Sequence, residues 1–377
     1  MESDFSRIWC ASRRQIGTMI GVGMLSLPFA VVRDGLVFGL LELCAAALVS
    51  YLVLRLYGDL IMIRGGKARF IHVLGRELGH FGTGIASFAY IGATFGALIA
   101  FLIFGGQFLR VVLFDVLPLK AATSSVLFFI LASFFTIGGS LSVTRVQRVL
   151  VPLFMMLIGV LVLVALPHMS LNHFELPSSF EHIGLSFGMM LFAFHGMSAL
   201  PEMRDILGRH AHLLPRAIGF GSAIVFTVYV VFILSVLGVT GLQTTENAIP
   251  GLGALGHGVV VFASAIALLV TFTVYMNVAS ALTNTFLYDL RMRFIPGWLL
   301  TACVPLLIFL AGAQHIASVL SVTGGILGSL TGIMMLIAYE RARVSAELPK
   351  NSLQISQWPI ALTFLIFVGT LVATVMR

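Results

Sequence analysis

His195 stands between Phe194 and Gly196 in the middle of an apolar run, the one mid-segment histidine in a chain that has 10. An imidazole changes charge near neutral pH, so inside an apolar segment it can carry a proton or hydrogen-bond a small molecule. Glu42 is a second ionisable group within an apolar stretch. A carboxyl there must be paired, hydrogen-bonded or protonated, which makes it a candidate to bridge neighbouring segments or to hold a coupling proton. Thr273, Asn277, Ser280 and Asn284 recur every three or four residues and so share one helical face. Such a stripe suits a substrate or, through Ser280 and Thr283, a sodium ion; hydrogen bonding between helices accounts for it equally well. Tyr90 and Thr94 lie one turn apart, where they can close over a bound molecule; a lipid- or core-facing role is the competing account.

The strongest pattern involves backbone. The string Gly-Met-x-x-Leu-Pro occurs at Gly23–Pro28 and again at Gly196–Pro201. Glycine lowers the cost of non-helical backbone, and proline removes a donor and clashes with the turn before it. Unsatisfied backbone in hydrocarbon costs several kcal/mol per group, so it survives only inside protein or along a polar cavity. Two matched breaks predict a binding site at mid-membrane. Half-helix N-termini favour a carboxylate, and half-helix C-termini favour an ammonium or a metal cation. A site with both suits a zwitterion, which points to an α-amino acid. The predicted substrate-binding set is Gly21, Val22, Gly23 and Met24, facing Phe194, His195, Gly196 and Met197, with Tyr90 and Asn277 beside them. The predicted ion-coupling set is His195, Glu42, Ser280 and Thr283, for a proton or sodium. Glycine used for close helix packing is the competing account of the pattern.

These groups need spans to hold them. The chain has 377 residues, 59% apolar and 10% charged, with mean hydropathy +1.06; a soluble domain is about a quarter charged. The fold class is therefore all-α integral membrane in a lipid bilayer. Segments long enough to cross it fall at 13–33, 36–62, 81–113, 122–140, 149–167, 181–207, 217–240, 258–289, 297–313, 316–339 and 357–376. Segments one and six each open a unit of five. Five is odd, so the second unit is inverted relative to the first, giving repeats at 13–167 and 181–339 within a single domain 1–377, plus an extra helix at 357–376. An interfacial helix is expected at 66–79, and the loop at 241–257 is expected to fold over an outer vestibule.

The net charge of +7 reads as the basic bias of cytoplasmic loops, with no nucleic-acid partner. Arg7, Arg13, Arg14, Arg64, Lys67, Arg69, Arg76, Arg145, Arg148, Arg204, Arg209, Arg216, Arg291, Arg293, Arg341, Arg343 and Lys350 fall on one side; only Arg33, Arg110, Lys120 and Arg377 fall on the other. This predicts a cytoplasmic N-terminus and an outside C-terminus. Arg55, inside a span, is expected to snorkel to the cytoplasmic interface. Glu202, Arg204 and Asp205 with Arg7, Arg13 and Arg14 read as charged helix ends, with an inner ion-pair gate as the alternative. Thr323-Gly324-Gly325 reads as small-residue packing, with a flexing gate as the alternative. Cys10, Cys44 and Cys303 have no metal-ligand spacing, and no metal or cofactor is expected. Arg13 and Arg14 precede the first apolar run and no small-residue cleavage site follows it, so no cleavable signal peptide is expected. Protease and hydrolase motifs and a nucleotide-binding loop are missing, which argues against a membrane enzyme.

Gly17-Thr-Met-Ile-Gly-Val-Gly-Met-Leu-Ser-Leu-Pro28 resembles the first-helix signature of amino acid permeases of the amino acid–polyamine–organocation superfamily. Phe194-His195-Gly196 is similar to the bacterial hydroxy/aromatic amino acid permeases, the tryptophan, tyrosine and serine/threonine carriers. Pro201-Glu202-Met203 looks more like the broader amino acid/auxin permease branch. The resemblance implies a leucine-transporter type 5+5 inverted repeat with discontinuous helices 1 and 6. It also implies proton-driven uptake of a neutral amino acid, aromatic or hydroxylated, across the cell (inner) membrane. Sodium-coupled relatives pair hydroxyls near Ser280 and Thr283 with first-helix carbonyls. A permease-like receptor of the spore-germinant type is the remaining alternative.

Overall fold

A computed structural model describes residues 3–64, 69–113, 120–137, 139–174, 183–345 and 356–376. In chain order its helices are α1 (Asp4–Met19), α2 (Val22–Asp34), α3 (Leu36–Arg64), α4 (Phe70–Leu113), α5 (Ala121–Thr136), α6 (Gly139–Ala165) and α7 (Ile183–Ala193). There follow α8 (Leu200–Leu207), α9 (Leu214–Thr240), α10 (His257–Tyr288), α11 (Phe294–Leu310), α12 (Ile316–Ser321), α13 (Ser329–Val344) and α14 (Gln357–Val375). Each predicted span has its counterpart. The first is α1 with α2, the sixth is α7 with α8, and the tenth is α12 and α13 joined through a π-helical turn, Val322–Gly328. The architecture is all-helical among the described residues, and α5 and α11 are its shorter apolar members.

Both predicted breaks exist, but they precede the repeated string. Helix α1 ends at Met19, Ile20 and Gly21 are extended, and α2 departs at 60°. The second break runs from Phe194 to Gly196 and leads through a 3-10 turn, Met197–Ala199, into α8. The string Gly-Met-x-x-Leu-Pro therefore starts the half-helix that follows each break. Pro28 lies within α2 and Pro201 lies in the first turn of α8, where a missing N–H costs little.

Packing brings the breaks together. Helix α2 lies on α7, α1 on α9, and α10 on both α4 and α6. A Cβ added to Gly23 would sit 2.7 Å from Ala193 Cα, so α2 and α7 meet backbone to backbone. Only glycine permits that approach.

Other expectations fare unequally. The described part of the interfacial segment, from Phe70, is helical and bends into the third span at Gly79, whose φ is 66°; residues 66–68 lie outside the described set. Within the loop at 241–257, Ala248, Ile249 and Leu252 are buried and Asn247 Nδ2 donates to Gln107 Oε1 of α4 at 3.1 Å. Arg55 does not snorkel. It is buried and pairs at 2.6 Å with Asp59, one turn further along α3 and equally buried. A partner within the same helix satisfies the guanidinium without a path to water.

Candidate functional site

The two breaks open on one cavity containing about 590 Å³ of empty space, the space at its mouth included. Thr18, Met19, Gly21, Val22 and Gly23 form one wall, and Leu191, Phe192, Ala193, His195 and Ser198 the wall opposite. Helix α4 adds Ala93, Thr94, Ala97 and Phe101; α10 adds Val274 and Val278; the π turn adds Thr323, Gly324 and Gly328. Among the described residues no Asp, Glu, Lys or Arg lines this space. A charged ligand group must therefore meet backbone dipoles and neutral side chains.

The half-helix ends are disposed as a zwitterion requires. The first N–H groups of α2 begin at the cavity wall and have no intrahelical partner. The C-terminal carbonyls of α1 and α7 converge on one side chain absent from the predicted set, Tyr229 of α9. Its hydroxyl lies 2.5 Å from Met19 O and 2.8 Å from Ala193 O. Tyr229 is fully buried, and its ring packs against Phe194 at 5.0 Å. One phenol thus caps both broken helices.

His195 lines the main cavity and also a second one, of about 340 Å³ of empty space, bounded by Ser50, Val53, Leu54, Gly196, Met197 and Phe367. Its backbone N–H is taken by Phe192 O at 3.1 Å. The imidazole therefore stands between two spaces. Gly21, Val22, Gly23 and His195 of the predicted set meet at the main cavity; Phe194, Gly196 and Met197 line the second. Met24 is buried beyond the wall, with its N–H on Gly21 O.

The remaining residues of the predicted set lie elsewhere. Tyr90 stacks flat on Phe70 at 4.4 Å, and its neighbour Thr94 is the one facing the cavity. Of the polar stripe on α10, Asn277 is turned toward α1, and Val274 and Val278 face the cavity instead. Asn277 Oδ1 accepts from Arg14 at 2.7 Å, and its Nδ2 donates to Gly17 O at 2.9 Å. Ser280 is buried on the same helix, and Thr283 Oγ1 donates to Thr301 Oγ1 at 3.2 Å. Glu42 sits beside Asp34, at the end of α2 remote from the break.

Charges gather on the arginine-rich face. Arg14 is paired with Glu202 of α8, and its side chain is only 3% exposed. Arg69 pairs with Asp205 at 3.3 Å. Asp289, just past α10, accepts from the Arg69 and Ile71 amides at 3.0 and 2.9 Å. Burial raises the Asp289 carboxyl above the usual range, and those amides oppose the shift. These contacts tie α1, α8, α10 and the start of α4 together.

Broken first and sixth helices around a central cavity define a multi-pass membrane transporter of the leucine-transporter fold. The same fold appears in MhsT, solved in complex with L-phenylalanine, with TM-score 0.72 at 14% identity, covering 97% of each chain. It appears also in MHP1, a nucleobase-cation-symport-1 family transporter solved closed with bromovinylhydantoin bound, with TM-score 0.64 at 15% identity, covering 98% of this chain and 90% of that one. The model of the tryptophan/tyrosine permease family matches residues 7–376, and the chain belongs to that family. Among curated proteins it is 26% identical over 221 residues to tyrosine-specific transport system 1 of Haemophilus influenzae. That match takes in 57% of this chain and spans about half, 54%, of the relative.

Proposed function

We propose that this chain is a secondary active transporter that carries an aromatic amino acid, tyrosine or tryptophan, together with a proton. The observation that carries the reading is the uncharged cavity on which both helix breaks open. Backbone ends there serve the ammonium and carboxylate, while Ala93, Ala97 and the glycines of the π turn leave room for a ring against Phe101 and Phe192. Family membership and the tyrosine-transporting relative support the same substrate class.

One observation favours a proton over sodium: the Thr283 hydroxyl is committed to Thr301. His195 and Glu42 are then the titratable groups available for coupling. The chain lies in the cell (inner) membrane with the arginine-rich face and the N-terminus cytoplasmic, in the wider amino acid–polyamine–organocation superfamily. The two five-span units, 13–167 and 181–339, act as inverted repeats rocking about the cavity, and the contacts of Arg14 and Arg69 hold it shut on the inner side.

The test is uptake by purified protein in proteoliposomes under an inward proton gradient, with choline replacing sodium. Tyrosine or tryptophan is expected to accumulate. Accumulation of no aromatic amino acid sinks the reading, and accumulation that requires sodium reassigns the coupling ion.

A further inference from the structure

Asp34 is the last residue of α2 and is 0% exposed, and neither of its carboxyl oxygens has a hydrogen-bond donor. A carboxylate at a helix C-terminus faces the negative end of the dipole, and a buried carboxylate without a donor costs several kcal/mol. Gly35, with φ 87°, turns the chain back so that α3 runs beside α2. The turn brings the Glu42 carboxyl within hydrogen-bond reach of Asp34, and Glu42 Oε2 is likewise buried without a donor. Two carboxylates have no proton between them to make that bond. With one proton shared, the bond exists and one negative charge is removed.

Among the described residues the surroundings supply no cation, and Asp34 is the one charged group close enough to act on Glu42. The neighbouring Arg33 has its guanidinium over the Phe29 ring at 5.0 Å. Of the elements against α2, α7 has no ionisable residue, and α9 carries only Arg216, in its first turn, and Tyr229, at the breaks. On α3, the further charges Arg55 and Asp59 pair with each other. Helix α4, which touches α2 more lightly, carries His72, Arg76, Glu77, His80 and Arg110, and α10 carries His257; none of them acts on Glu42.

We infer that Asp34 and Glu42 form a proton-binding carboxyl pair, separate from the substrate cavity and joined to it by α2. The helix has 13 residues, about 20 Å at 1.5 Å per residue. Its first residues, Val22 and Gly23, line the cavity, and its last, Asp34, holds the proton. Loading forms one O–H bond on the pair and release to water breaks it, with no change in redox state. Release leaves like charges on the buried Asp34 and the half-buried Glu42 that drive α2 away from α3, so occupation of the pair is linked to the tilt of the half-helix that contacts substrate. The role in coupling rests on the proton-symport reading; the existence of the site does not.

The first measurement is infrared difference spectroscopy of the purified full-length protein during a pH titration, with Asp34→Asn/Glu42→Gln as the reference. Wild type is expected to show a carboxylic-acid carbonyl band at neutral pH that the double variant lacks. Glu42→Gln alone, whose amide can donate to an ionised Asp34, is expected to lose it as well, which covers the case of a double variant that does not fold. Equal carboxylic-acid intensity in wild type and variants overturns the site. The second measurement is the ratio of gradient-driven tyrosine accumulation to tyrosine counterflow in the same vesicles. This ratio is expected to collapse in Glu42→Gln, and an unchanged ratio overturns the coupling role. A wild type that carries the band but accumulates nothing under a proton gradient upholds the pair and refutes the symport reading.

Discussion

Tyr229 holds the two breaks in register with a single hydroxyl, and its removal separates capping from packing. In Tyr229→Phe the ring still fills its place beside Phe194, but Met19 O and Ala193 O lose their donor. A buried acceptor left without a partner costs about 1–3 kcal/mol, so the variant should unfold at a lower temperature and take up tyrosine more slowly. Thermal unfolding and radiolabelled uptake check both. His195 gives a different pattern. It stands between two cavities and only its backbone is engaged by Phe192. Both His195→Ala and His195→Gln should lower uptake about tenfold or more, the range by which a positioned proton-transfer group acts, without lowering the amount at the cell surface. Uptake by His195→Gln at the wild-type rate under a proton gradient removes the imidazole from proton transfer. Sequence made His195 and Gly21–Gly23 visible because a titratable group and bare backbone are both costly in lipid and stand out against it. Tyr229 was hidden for the opposite reason: a tyrosine in an apolar run is ordinary core material, and nothing local shows that its hydroxyl reaches two carbonyls on other helices.

At the scale of elements, hydropathy marks where helices run but not how they are rotated. The stripe Thr273, Asn277, Ser280 and Asn284 was legible as one face of α10, yet Asn277 meets α1 rather than the cavity, and Val274 and Val278 form the wall. Rotation is set by partners far away in sequence, here Arg14 and Gly17. The positions of the breaks were legible to within a few residues. The string overlaps the start of each following half-helix: Gly23 is the second residue of α2, and Pro201 lies in the first turn of α8, where a missing N–H costs little. The close approach at Gly23 gives a direct test. In Gly23→Ala the new Cβ would stand 2.7 Å from Ala193 Cα and 3.0 Å from its Cβ, and neither backbone can yield cheaply. Overpacking of this kind costs about 1–3 kcal/mol, and because the strain falls on both breaks, binding should suffer more than stability. The comparison is between the tyrosine-induced thermal shift and the unliganded midpoint.

For the molecule as a whole, the proposed closure of the cavity on its inner side depends on charge. Arg14 is nearly inaccessible, paired with Glu202 and bonded to Asn277, so it links α1, α8 and α10. In Glu202→Gln the shape is kept, but a buried guanidinium loses its counter-charge, a change that costs about 3–5 kcal/mol where a buried pair is broken. The closed arrangement bears that cost and a state open toward the arginine-rich face does not, because there Arg14 meets water. The population should move accordingly. A cysteine introduced as Thr18→Cys, on the cavity wall, should react faster with a water-soluble thiol reagent applied from the arginine-rich side in the Glu202→Gln background than with Glu202 intact, and saturating tyrosine should slow the reaction in both. Equal rates from that side would mean that the Arg14–Glu202 pair contributes only to packing. Labelling from the two faces separately also fixes the orientation read from the arginines, since the faster side in Glu202→Gln must be the cytoplasmic one if α1 begins there.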